Sequence, residues 1–172
     1  MHLSKTAIAA FIAFTLFSCQ KAELVEPSVP TPASSSTTGR GVTSSENFET
    51  GTKTSYAAAN VTLASGSWNF NDALIGNSTS DRKSGTQSAR VRNTGKLTMN
   101  FDNSFGAGTV TIKHAKYGTD ANSTWQLWYS TNAGVSWTQT GGTITSSSTT
   151  LTTASFTVNI SGNIRFDIRK TG

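Results

Sequence analysis

From Glu46 to the C-terminus, apolar side chains fall at every second position in a series of short runs, the spacing of strands with one buried face rather than of helices. Leu97, Met99 and Phe101 share one face; Val110 and Ile112 a second; Trp125, Leu127 and Tyr129 a third; Phe156, Val158 and Ile160 a fourth; Ile164, Phe166 and Ile168 a fifth. Shorter runs around Phe48, Val61 to Leu63, Trp68 to Ile75 and Arg90 to Arg92 raise the expected total to eight to ten strands, separated by Gly, Asn, Asp and Ser. Alternation leaves one face of each strand covered and the other wet, so the predicted fold is all-β, a two-sheet antiparallel β-sandwich. Trp68, Trp125 and Trp137 are expected in its core. Trp128 lies on the opposite side of its strand from Trp125, Leu127 and Tyr129 and is expected to face outward or to meet another layer.

A different pattern opens the chain. Met1 to Lys5 is short and basic, Ala7 to Phe17 is apolar except for Thr15, and Leu16-Phe17-Ser18-Cys19 follows at once. This is the layout of a bacterial export signal, and the run falls short of the ~20 residues a membrane-spanning helix needs. A small residue directly ahead of a cysteine resembles the lipobox of bacterial lipoproteins, which implies removal of residues 1–18 and acylation of Cys19. As Cys19 is the only cysteine, no internal disulfide can form. Gln20, Lys21, Ala22 and Glu23 follow without an aspartate, as in lipoproteins sorted to the outer membrane, and this polar, acidic stretch resembles the surface-export signal of Bacteroidetes lipoproteins. The expected location is therefore the outer membrane or cell surface, held by lipid. All three prolines, Pro27, Pro30 and Pro32, precede a Ser/Thr/Gly run, so residues 19–45 read as a solvated tether and 46–172 as one domain.

Ser130-Thr131-Asn132-Ala133-Gly134-Val135-Ser136-Trp137 resembles the Asp-box, with Asn132 in the aspartate position. Its residue types predict a structural hairpin: Asn132 bonds its own backbone, Gly134 takes positive φ, and Trp137 packs beneath the turn. Asn47-Phe48-Glu49, together with Ser84-Gly85-Thr86-Gln87-Ser88-Ala89-Arg90-Val91, resembles the start of jelly-roll modules of the galactose-binding-like and carbohydrate-binding type. Such modules often hold a structural calcium, and the resemblance implies Glu49 and Asp167 as its carboxylates. A longer resemblance runs through Lys53-Thr54-Ser55-Tyr56-Ala57-Ala58, Gly66-Ser67-Trp68, Asn71-Asp72-Ala73-Leu74-Ile75-Gly76, Ser80-Asp81-Arg82-Lys83 and Lys113-His114-Ala115-Lys116-Tyr117-Gly118. These blocks are similar to a β-sandwich of Bacteroidetes exported proteins that precedes a non-specific DNA/RNA endonuclease domain. The nuclease's Asp-Arg-Gly-His signature is missing; the nearest run is Asp81-Arg82-Lys83-Ser84.

Charge adds a second set of candidates. From Glu46 onward there are 11 Lys and Arg against 7 Asp and Glu, and Arg90, Arg92, Lys96, Lys113, Arg165 and Arg169 all fall on the polar side of their strands. Such cations can track phosphates, or simply keep a sheet face soluble. Trp128, and Tyr117 at a strand end, are the residues on which a sugar ring would stack. A nucleophile needs a base within reach, and the one histidine beyond the export segment, His114, shares the strand side of Val110 and Ile112, where a structural role is expected. Asp72 and Asp81 flank a polar loop without a spacing that marks an acid/base pair. The sequence thus reads as a lipid-anchored, non-catalytic module that binds an extracellular polymer, nucleic acid or polysaccharide. The alternatives are the N-terminal part of a truncated endonuclease precursor and a partner-docking surface lipoprotein.

Overall fold

The computed structural model describes residues 7–13 and 43–172, so Cys19, the tether up to residue 42 and the rest of the export segment lie outside the described residues. Nine strands are present: β1 (Ala7–Ala13), β2 (Ala59–Leu63), β3 (Gly66–Gly76), β4 (Ser88–Met99), β5 (Ala107–Lys116), β6 (Ser123–Ser130), β7 (Thr138–Ser146), β8 (Thr152–Ile160) and β9 (Arg165–Lys170). No helix occurs among the described residues, and every pairing is antiparallel. The larger layer runs β2-β3-β4-β9-β6-β7, the smaller is β5-β8, and β1 lies between β4 and β5. Together they form the two-sheet sandwich that alternation predicts. One strand was not expected: Ala7–Ala13, which reads as part of the export segment, pairs along Ala89–Arg92 of β4 on one side and Thr111–Lys116 of β5 on the other.

The period-two reading of the core holds residue by residue. Leu97, Met99, Val110, Ile112, Trp125, Leu127, Phe156, Phe166 and Ile168 are buried together with Trp68, Phe70 and Ile164, while Phe101, Tyr129, Val158 and Ile160 pack at the margin. Trp137 corrects the expectation of three core tryptophans. It lies just ahead of β7 at the hairpin's end, is half-buried, and stands beside Arg169 on the outer face.

The domain begins with a polar clamp around an apolar hook. Phe48 is fully buried at φ 63°, edge-on to Trp68 and Phe70 at 6.4 and 6.1 Å. That left-handed backbone is unfavourable for a bulky residue, and buried Glu46 holds it by accepting the Phe48 N–H at 2.6 Å. The other Glu46 oxygen accepts the Ser65 N–H and hydroxyl, and Ser65 Oγ accepts Trp68 Nε1–H at 2.9 Å. Three residues after Glu46, the Glu49 carboxylate takes the Thr86 hydroxyl and the Thr86 and Gln87 amides, and Gln87 Nε2 returns to the carbonyls of Phe48 and Gly51. The Asn-Phe-Glu and Ser-Gly-Thr-Gln blocks are therefore two halves of one contact.

A β-bulge divides β4. Asn71 pairs with Lys96, yet Ala73 pairs with Val91, so the intervening β4 residues arch away from β3. Asp72 and Asn93, both at φ 48°, make the bend, and the Asp72 carboxylate receives Arg92 Nε at 2.5 Å and Asn93 Nδ2 at 2.7 Å. Gly95 is buried where a Cβ would stand 2.6 Å from the carbonyl oxygens of Asn71 and Asp72. Replacing Gly95 with alanine is expected to cost about 1–3 kcal/mol of unfolding free energy through overpacking against rigid backbone, measurable by urea denaturation. An unchanged midpoint would show that the bulge is not this tight.

His114 is buried on the core side of β5, as its parity requires, with Nδ1 2.8 Å from Ser146 Oγ, Nε2 3.2 Å from Thr152 Oγ1, and its ring edge-on to Trp125 at 5.2 Å. Burial pushes its pKa below the ordinary histidine value of 6.5. The unfolded chain then binds the proton first as pH falls, so the stabilisation is complete above about 6.5 and is lost progressively below it. Unfolding free energy should decline from pH 6.5 towards 5, ahead of carboxylate titration, and His114→Gln should flatten that part of the profile. A profile identical to the parent's would exclude His114 as its source.

Candidate functional site

The outward face of β4, β9 and β6 gathers most of the side chains singled out by the sequence. Register places Lys96, Arg169 and Gln126 in one row across the three strands, and Thr98, Asp167 and Trp128 in the next. Gln139 of β7 continues the second row beside Trp128. Directly opposed residues project on the same side of a sheet, so these form one continuous surface.

Its centre is a buried carboxylate under an aromatic and guanidinium cover. Asp167 is fully buried, although it points away from the hydrophobic core, and it accepts Thr98 Oγ1–H at 2.8 Å and Arg169 Nε–H at 2.7 Å. Lys96 Nζ stands 3.9 Å away. The Arg169 guanidinium lies 4.3 Å from the centre of the Trp128 ring and 5.7 Å from that of Trp137. Trp128 donates Nε1–H to Gln126 Oε1 at 3.1 Å, and Gln126 Nε2 donates to Thr143 at 2.9 Å. Trp128 is half-exposed, so its outward orientation agrees with its strand parity.

The hairpin between β6 and β7 supplies the rim. Ser130 Oγ accepts the Asn132 and Gly134 amides, and Asn132 Oδ1 accepts the Ser136 amide at 2.9 Å. Gly134 sits at φ 86° with Trp137 beneath it, the structural role expected of Ser130, Asn132, Gly134 and Trp137. Val135 at the tip is 84% exposed beside this surface.

The six outward cations divide unevenly. Arg90, Arg92, Lys96, Arg165 and Arg169 stand on the larger layer and Lys113 on the smaller. Each of the five faces a carboxylate: Arg90 grips Asp81 through Nε at 2.7 Å and through its terminal nitrogen, Arg92 meets Asp72, Arg165 meets Asp102 at 2.6 Å, and Lys96 and Arg169 share Asp167. Although burial works against ionising Asp81, bonds from Arg90 and Ser78 outweigh it and hold its pKa below the usual 3.8. Tyr117 is committed too, with Arg90 4.2 Å above its ring, and Tyr56 carries Arg92 at 3.9 Å. Asp72 and Asp81 are thus separate ion-pair partners, not an acid/base couple.

Glu49 and Asp167, the carboxylates assigned to calcium, are not brought together. Glu49 binds residues just ahead of β4, whereas Asp167 lies opposite Thr98 near that strand's other end. The hydrogen bonds described above use both. Among the described residues, no group of three or more His, Cys, Asp or Glu converges.

A second recess opens beside the β3–β4 loop, an open cleft of about 570 Å³ lined by Thr79, Arg82 and Lys83 and by Thr149 to Leu151. Arg82 Nε is buried there without a hydrogen-bond partner. Comparison with known proteins leaves the geometry to stand alone: no family model, curated protein or solved structure matches the chain.

Asp167→Ala should leave Arg169 and Lys96 without their shared carboxylate and free the guanidinium from the ring. Both cations reach solvent, so the expected loss is about 1–3 kcal/mol, below that of a fully buried pair. Denaturant unfolding measures it, and Trp128 fluorescence should shift as the cover loosens. Neither change occurring would mean that Asp167 does not organise this face.

Proposed function

We propose that the chain is a non-catalytic binding module, carried outside the cell on lipidated Cys19 and its proline tether, and that it holds polysaccharide on the β4–β9–β6 face. The observation that carries this reading is the Trp128–Arg169–Trp137 patch: two half-buried indoles flank one guanidinium, with Gln126, Gln139 and Thr143 alongside. Apolar ring faces beside polar side chains match the two surfaces of a sugar, whose C–H face stacks while its hydroxyls exchange hydrogen bonds. The two rows of side chains run side by side across β4, β9 and β6, an extended arrangement that suits a chain more than an enclosed small ligand.

Nucleic acid fits less well. Affinity for phosphates grows with cations that release counterions, whereas five of the six outward cations already face carboxylates of the domain. The test is binding of the purified chain to a glycan panel and to single-stranded DNA and RNA at two salt concentrations. The expected result is glycan retention that changes little with salt and falls at least tenfold in Trp128→Ala, as loss of one stacking platform predicts. Steeply salt-dependent nucleic-acid binding with no glycan retained would overturn the proposal.

A further inference from the structure

Strand β1 lies between β4 and β5 and pairs with both. It completes two ladders at once, Ala7–Ala10 against Ala89–Arg92 and Ile8–Ala13 against Thr111–Lys116. Buried Ala89 and Val91 of β4 and Ile112 and His114 of β5 flank it on the core side, and it joins the smaller layer to the larger. Beyond β1, β4 is paired with β3 and β9, and β5 with β8, so removal of β1 opens two facing rows of backbone donors and acceptors over an apolar floor. Such a slot selects an extended segment by main-chain pairing, with side-chain fit added at alternate positions.

Only residues 14–18 separate β1 from Cys19, so cleavage ahead of that cysteine severs the strand from the domain. The tether is a poor substitute. Residues 20–26 carry Lys21, Glu23 and Glu26 and run directly into Pro27, and prolines 27, 30 and 32 cannot donate to a ladder. We propose that the β4–β5 slot is a strand-acceptor site, filled by β1 in the uncleaved chain and, after processing at Cys19, by an extended apolar segment of a partner polypeptide. The proposal rests on the export reading of the N-terminus but not on the polysaccharide reading of the outer face. The occupant's chemistry is that of β1 itself, Ala-Ile-Ala-Ala-Phe-Ile-Ala: uncharged, free of proline, and small or aliphatic at most positions.

The test uses the full chain carrying Cys19→Ser, with a protease site placed between Ser34 and Ser36 and cut after folding. The N-terminal fragment should stay bound until displaced by a fluorescent peptide of residues 5–14, which should also raise the melting temperature in a concentration-dependent way. The same peptide with proline for Ile12 should neither bind nor shift melting. Release of the fragment on cutting with melting unchanged, or equal binding of the proline peptide, would overturn the acceptor site. Mass analysis of the wild-type N-terminus from cells separates the two layers of argument: uncleaved, unacylated Cys19 with intact peptide exchange would overturn the processing step alone.

Discussion

The bulge in β4 is the constraint on which the rest of the sandwich depends. A strand of twelve residues facing one neighbour along its whole length would twist steadily; here Asp72, Asn93 and Gly95 break that run in the middle. On the other side of β4 the partner changes across the same break, with β1 against Ala89–Arg92 and β9 against Lys96–Thr98. The first half turns toward the smaller layer while the second stays in the larger, and the outer face exists because β9 is then held between β4 and β6. Asp72 fastens the break with a charge-assisted bond to Arg92 that draws both from the strands being bent.

Charge is managed in the same local fashion. The arginines over Tyr56, Tyr117 and Trp128 each pair with a carboxylate as well as an aromatic ring, two kinds of partner a planar cation can take at once. Inside, Lys53 gives its ammonium to the carbonyls of Ser55, Ala57 and Ala73, and burial lowers its pKa against a weaker opposing pull from Asp72. These contacts tie the segment before β2 to the start of the β3 bend. Five of the outward cations are thus held in structural contacts.

Alternation made the layers legible, because a one-residue error in strand phase would have exposed Leu97, Ile112 or Leu127, and none is exposed. The outward position of Trp128 and the inward position of His114 followed from the same parity. The pairing of Trp128 with Arg169 was not readable, since it depends on β6 lying beside β9, two strands separated in sequence by β7 and β8. Trp137 misled for a related reason: a tryptophan at the end of a hairpin has no alternating neighbours to fix its side. Asp167 and Glu49 looked alike as strand-associated carboxylates, yet only strand order shows that they bind at opposite ends of β4. Parity assigns a side chain to a face; only topology decides what shares that face.

Under the polysaccharide reading, the geometry of the outer face also sets how it would work. Arg169 already covers part of the Trp128 ring, and an exposed contact of this kind is worth about 0.5–1 kcal/mol. A sugar stacking there either displaces the guanidinium or uses the remaining ring area and Trp137, so one encounter gains little net free energy. Asp167 limits the first route, because it holds Arg169 by Nε from beneath. A site that is weak by construction becomes effective when its concentration near the polymer is high. A short flexible link to a surface supplies that without any new contact, and it does so only where the link's reach matches the span. In that reading, the segment after Cys19 is part of the binding device, because its length bounds the distance at which a shallow aromatic face can hold a long chain.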